Sequence, residues 1–301
     1  MIRHMTRDAW KPFRLLAATM TGLLLGACAS TPLDVPGCPT GAQIDELVKR
    51  YVALEPAPNP VSRMSDAAAA CGRDRFTARL DRHFGEVVGY KAALTSESVQ
   101  KRFSASAPVR GTLFRKMIVD DGASVPARFG ARPQFEADLV VVVRDSGIHS
   151  ARTPNDVMSH ISSIRPFVEL PDLTVEDPSR IDAGVLAAIN AGARMGVLGA
   201  PVPVNGPDPA LADALRDMTV RLIDRAGATI DSGKGSAILG HPLNAVIWLA
   251  ADLERAGITL RQGDLLSLGS FTKLHKPAPG MSVKAVYDGL PGNPSVAVTF
   301  R

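Results

Sequence analysis

The residues best suited to chemistry stand in one short stretch, Pro133-Gln-Phe-Glu-Ala-Asp-Leu-Val-Val-Val-Val-Arg144, and in a later Pro166-Phe-Val-Glu-Leu170. Residues 139–143 are apolar and mostly β-branched, so they read as a buried strand, and the two-residue repeat of a strand sends Glu136 and Asp138 to one face. Two carboxylates in one desolvated space repel each other, and a cation or a shared proton between them relieves that cost. With Glu169 as a third oxygen donor the set suits a hard divalent ion, with waters or substrate oxygens completing the octahedron. Spacing alone leaves open that Glu136 and Asp138 lie on a solvated strand face.

Lys91 interrupts an otherwise uncharged run, Val87-Val-Gly-Tyr-Lys-Ala-Ala-Leu-Thr-Ser96, whose Thr-Ser end is suited to cap a helix over 97–103. Buried near the carboxylates, Lys91 would position an anionic substrate or carry a proton; otherwise its stem snorkels to solvent. Around these segments the spacing predicts helices over 42–54 and 65–84, then a chain dominated by strands and turns. Short strands are expected at 111–114 and 117–125, and strand-like runs at 185–189, 195–199, 264–269, 282–287 and 295–300. A hairpin is expected around Arg225-Ala-Gly227. The clearest helix opens at Gly240-His-Pro-Leu-Asn-Ala245 and stops at Gly257. Gly233-Lys-Gly-Ser236 lacks the order of a phosphate loop.

The amino terminus speaks to location. Arg3, Arg7, Lys11 and Arg14 face one acid, Asp8, and a short apolar run ends in Leu25-Gly26-Ala27-Cys28. This pattern resembles a bacterial lipoprotein signal. The resemblance implies a signal peptide over 1–27, cleavage before Cys28, a lipid on Cys28 and, with Ala29 following, an outer-membrane lipoprotein facing the periplasm. Loss of those four basic residues and one acid would take the formal charge from +4 to +1. The mature chain then shows no basic cluster with interleaved aromatics, so nucleic acid is not an expected partner. With Cys28 lipidated, Cys38 and Cys71 remain as a disulfide pair in an oxidising compartment, or as two buried thiols. Residues 28–41 read as a tether. Residues 42–301 read as a single domain, helical over 42–86 and β-rich over 87–301.

Several blocks in the same order resemble the 2-keto-4-pentenoate hydratase branch of the fumarylacetoacetate hydrolase superfamily. They are Val88-Gly-Tyr-Lys-Ala-Ala-Leu-Thr-Ser96, Phe135-Glu-Ala-Asp138, Phe167-Val-Glu169, Gly196-Val-Leu-Gly199, Ala237-Ile-Leu-Gly-His-Pro-Leu-Asn-Ala245 and Gly269-Ser-Phe-Thr272. The resemblance implies an α+β fold, a mixed β-roll of antiparallel sheets with peripheral helices. It implies Glu136, Asp138 and Glu169 as metal ligands, Asp standing where the family carries Glu. Lys91 and Thr272 are the implied catalytic groups, and Ser96, Asn190 and His241 the implied substrate-binding ones, although His241 equally suits a helix cap. A homodimer is a family expectation.

The implied chemistry is hydration of an unsaturated 2-oxo acid, the metal stabilising its enolate. Two departures bear on it. Relatives carry an acid where this chain has Val109-Arg-Gly111, and Asp-x-x-Ala-Asp-Asn-Ala-Ser where it has Val185-Leu-Ala-Ala-Ile-Asn-Ala-Gly192. Alternatives on the same platform are a decarboxylase or a carbon–carbon hydrolase, or a non-catalytic envelope lipoprotein that has kept the fold.

Overall fold

Apolar spacing and caps set the helices. In α1 (Gly41–Ala53) Ile44, Leu47, Val48 and Tyr51 recur on one buried face, and Thr40 and Gln43 cap its start reciprocally. Ser65 caps α2 (Asp66–Phe84), and a disulfide joins Cys38 to Cys71. The computed structural model describes residues 35–301, which form one compact unit. The signal segment and Cys28 lie outside the described residues. Residues 38–40, read as tether, belong to the folded unit through the disulfide and the α1 cap.

The short α3 (Glu97–Arg102) follows Ser96 as its spacing predicts, and α4 (Pro154–Ser159) and α6 (Pro209–Asp217) arise from capping signals at Thr153 and Asp208. Residues 185–189, read as strand-like, are largely helical: α5 (Ala183–Ala188) starts at Asp182, whose side chain accepts from the Val185 N–H. The longest apolar helix is α7 (Pro242–Arg255). It is long and apolar enough to pass a membrane-span test when its preceding turn is included, but half of that window is buried as core.

Thirteen strands are described. β1 (Val87–Ala93), β2 (Val109–Phe114), β3 (Ile118–Asp120), β4 (Ser124–Val125), β5 (Glu136–Val143), β6 (Ile161–Leu170) and β7 (Met195–Leu198) precede β8 (Val202–Pro203). The hairpin β9 (Thr219–Asp224) and β10 (Thr229–Lys234) comes next, followed by β11 (Leu265–Ser267), β12 (Ser282–Asp288) and β13 (Ser295–Phe300). They form two mixed sheets, one ordered β2-β1-β11-β5-β6-β7-β3 with β8 on β6, the other β10-β9-β12-β13-β4. The large sheet pairs mainly antiparallel, with parallel contacts at β1–β11 and β3–β7.

One core lies between the sheets and beneath α7, with Leu139, Val141, Val168, Leu222, Val246 and Ala285 fully buried. A second apolar cluster joins α1, α2 and α5 to β2 through Tyr51, Phe76, Phe114 and Val185. Helices therefore brace the β1–β2 side, and the hairpin sheet backs β5 and β6. Of those strands, β1 carries Lys91, β5 Glu136 and Asp138, and β6 Glu169.

Candidate active site

In the antiparallel β5–β6 ladder Glu136 stands opposite Glu169 and Asp138 opposite Phe167. Residues opposed in such a ladder share a face, so all three carboxylates lie on one face of the large sheet. Lys91 reaches this face from β1, where it pairs with Ser267 of β11 on one side and Gly111 of β2 on the other. A Cβ at position 111 would stand 2.6 Å from the Asn190 carbonyl oxygen and 2.9 Å from the Lys91 Cγ, so glycine makes room for the lysine stem.

Lys91 is 3% exposed and forms a short ion pair with Glu169 Oε1, while its Nζ also donates to the Ala191 carbonyl at 3.1 Å. Burial works against the ammonium, but Glu169, Glu136 and Asp138 more than offset it and hold the lysine above its ordinary value. Snorkelling is thereby excluded. Glu136 keeps partial exposure, yet burial of its carboxyl and then the Glu169 charge push it well above the carboxylate range. Burial and Glu169 likewise raise Asp138 to about 7.

Asp138 is heavily engaged. Its Oδ2 accepts from the Ser267 hydroxyl at 2.6 Å, and its Oδ1 accepts from the backbone N–H groups of Leu268 at 3.1 Å and Gly269 at 3.0 Å. It therefore fastens the β11 exit to β5. Among the described residues no three His, Cys, Asp or Glu side chains stand in closed metal-ligating geometry. The donor set nonetheless fits a divalent cation. Glu169 Oε2 is buried without a hydrogen-bond partner, and two neighbouring carboxyls are held above their ordinary range by mutual repulsion in a desolvated space.

Residues 268–275 continue alongside β5, the Leu268 and Phe271 N–H groups donating to the Leu139 and Ala137 carbonyls. The Thr272 hydroxyl accepts from the Ala137 N–H at 3.0 Å, and the Ser270 hydroxyl donates to the Thr272 carbonyl at 2.7 Å and stabilises the Glu136 anion. Gly269 has φ of 101°, a left-handed conformation, and Thr95 packs so closely that a Cβ there would meet its Oγ1 at 2.2 Å. Thr95 is buried against this loop, whereas Ser96 lies at the α3 start and meets only Ser98 at 3.3 Å.

Asn190 is fully buried, but its side-chain oxygen accepts from the Thr112 N–H at 2.6 Å and its amide donates to the Thr112 carbonyl at 2.9 Å. It fixes the segment that presents the Ala191 carbonyl to Lys91 by bonding both backbone groups of Thr112. His241 caps α7: Nδ1 accepts from the Leu243 N–H at 3.1 Å and Nε2 donates to the Ala212 carbonyl at 2.9 Å. Both ring nitrogens are spent on backbone, a helix cap in place of the substrate contact.

Tyr287, on β12, was not singled out by the sequence. Its hydroxyl accepts from the Phe167 N–H at 3.1 Å and donates at short range to the Asp138 carbonyl, pinning the two strands that bear the carboxylates. On β2, Val109 shares the Lys91 face through its pairing with Ala93; Arg110 points the other way and binds Asp252 at 2.7 Å.

No family model matches the chain. It is 31% identical over 236 residues to the 2-keto-4-pentenoate hydratase of Burkholderia vietnamiensis, covering 78% of this chain and 86% of that protein. The chain belongs to the 2-keto-4-pentenoate hydratase family. It is also 28% identical over 233 residues to the 4-oxalocrotonate decarboxylase of Pseudomonas putida, covering 77% of this chain and 85% of that one. Among solved structures, 4-oxalocrotonate decarboxylase from Pseudomonas putida G7, complexed with magnesium and adipate, superimposes with a TM-score of 0.75 at 25% identity. That match covers 87% of this chain and 97% of the decarboxylase. The α+β roll implied by the sequence is thus the fold of a hydratase and decarboxylase family of enzymes.

Proposed function

We propose that this protein is a divalent-metal-dependent hydratase acting on an unsaturated 2-oxo acid of the 2-keto-4-pentenoate type. The observation that carries the reading is the buried face on which Glu136, Asp138 and Glu169 meet Lys91, in a chain of hydratase ancestry. Glu136 and Glu169 would hold the cation, with Asp138 as the oxygen donor beside them. Magnesium or manganese suits these hard ligands. When bound, the ion supplies the positive charge that polarises a 2-oxo acid toward its enol.

The chain's own groups do the rest. Lys91 Nζ, held charged, offers a proton and an anchor for the substrate carboxylate. The Asp138 carboxylate and the Ser270 and Thr272 hydroxyls fix the 267–272 segment alongside β5. Tyr287 and Asn190 hold the strands and the Ala191 carbonyl in place.

Decarboxylation is the second reading. It is supported by the superposition over nearly the whole length of the decarboxylase. The deciding experiment adds 2-keto-4-pentenoate and a 2-oxo dicarboxylate to Mg²⁺-loaded and Mn²⁺-loaded protein and identifies products. Hydrated 2-oxo acid without CO₂ supports the hydratase. CO₂ release from the dicarboxylate alone supports the decarboxylase. Calorimetric titration of either metal should show binding that Glu136→Ala and Glu169→Ala each weaken at least about tenfold. A folded wild-type chain that binds neither metal would end both readings.

The lipobox supports a periplasm-facing, Cys28-lipidated form of the protein. A shift of the full chain from the membrane fraction to the soluble fraction on Cys28→Ala would test it, and sedimentation would test the dimer expected from the family.

A further inference from the structure

The face that carries the carboxylates continues along the same strands to a second, chemically different end. On β5, Val142 is in step with Glu136, and the ladder keeps register with β6 up to that residue. Arg165 is likewise in step with Glu169, and Leu265 of β11 stands opposite Val142. Six residues of strand separate the two ends, about 20 Å. Val140, Phe167 and Leu198 fill the space between them as a buried apolar plug.

Beyond the plug lies a cavity of about 500 Å³. Its floor is unusual for this sheet. Val142 and Leu265 are half-exposed and Val87 is 45% exposed, whereas the β5 residues from 137 to 141 are buried. Arg165 forms part of the wall and is itself half-buried, and burial lowers its pKa because solvation of the cation is lost. Its Nε donates to the Gly199 carbonyl at 2.8 Å, and it makes no ion pair with a described residue. The other charges at the mouth are differently placed. Arg115 binds Glu86 at 2.9 Å, Asp264 accepts from the Arg261 N–H at 2.8 Å, and the exposed Asp120 at the rim is near enough to Arg165 to oppose the effect of burial on it without forming an ion pair.

We propose that this cavity is a binding site for a small organic anion, its carboxylate on the Arg165 guanidinium and its alkyl body on Val142 and Leu265. Arg165 is the cavity's cation without an ion-pair partner among the described residues, and its terminal nitrogens form a planar fork that matches two carboxylate oxygens. The half-exposed floor gives an apolar body surface to cover, which an inorganic anion would leave wet. The proposal is independent of the hydratase reading, since it uses neither the metal nor any group at the Glu136 end.

The test is calorimetric titration of hexanoate, acetate and inorganic phosphate into the purified full chain in EDTA, which removes divalent metal. Hexanoate should bind saturably and one to one. Acetate, lacking the alkyl body, and phosphate should each bind at least about tenfold more weakly. Arg165→Gln should lose at least about tenfold in hexanoate affinity, and Arg165→Lys should fall between. Val142→Glu, which sets a carboxylate in the floor, should abolish binding, and it decides the matter if Arg165→Gln does not fold. No saturable hexanoate binding, equal affinity in Arg165→Gln or Val142→Glu, or phosphate as tight as hexanoate would each overturn the assignment.

Discussion

Lys91 and Glu169 form the pair on which the residue-level account turns, because each is 3% exposed and each is the other's counter-ion. Removing one partner from such a pair strands a charge in low dielectric. Lys91→Met should therefore cost about 3–5 kcal/mol of stability in urea melts run with EDTA, and Lys91→Met combined with Glu169→Leu should recover most of that loss. A single mutant as stable as wild type would show that the pair is not closed in solution. Asn190 offers a second case. Replacing it by Ala leaves the Thr112 N–H and C=O without side-chain partners in a buried strand, and asks Ala to hold a φ of 59°. About 2–3 kcal/mol should be lost, read as a lower urea midpoint at unchanged m-value.

At the scale of the element, legibility followed the reach of the signal. α7 was visible because its cap, first-turn proline and apolar stripe all lie within one stretch, and β13 because its alternation runs uninterrupted. Residues 185–189 misled because Val-Leu-Ala-Ala-Ile is apolar throughout and shows no period; the deciding signal was Asp182, an N-cap three residues upstream. The shared face of Glu136 and Asp138 followed from the strand repeat. That Glu169 stands opposite Glu136, or that Tyr287 bonds to Asp138 across a sequence separation of 149, depends on pairings no local pattern encodes.

His241 shows how a cap becomes a pH-sensitive element. Burial first, and Arg216 in addition, lower its pKa below the ordinary imidazole value, against the Ala212 carbonyl, Asp213 and Asp217, which raise it. Nδ1 must stay unprotonated to accept from the Leu243 N–H. The unfolded chain therefore binds a proton at a higher pH than the folded one, and stability is fully present above about pH 6.5 and falls as pH drops toward the folded value. His241→Asn, which keeps a side-chain acceptor for the cap, should flatten that part of the pH–stability curve. An unchanged slope between pH 6.5 and 5 would assign the acid sensitivity to other groups.

For the whole molecule, one covalent staple reinforces the apolar and hydrogen-bonded contacts that hold the first helix to the rest of the unit. Cys38 and Cys71 are 33 residues apart, and their bond ties the entry of α1 to the middle of α2, beside the apolar cluster through which both helices brace β2. Linking residues at that separation removes chain entropy from the unfolded state worth about 3–4 kcal/mol. Cys71→Ser should therefore lower the melting temperature by several degrees, with the same loss in wild type after thiol reduction and no further loss when the mutant is reduced. Coincidence of those three values would assign the effect to the bond, whereas a mutant that still responded to reductant would point to another thiol. The compartment follows from the same measurement made on protein from its native source: a staple of this kind persists where the surroundings are oxidising, so mass spectrometry of the isolated chain should find residues 38 and 71 two hydrogens short of the dithiol. Free thiols there would place the folded unit in a reducing compartment and remove the chemical support for an exported protein.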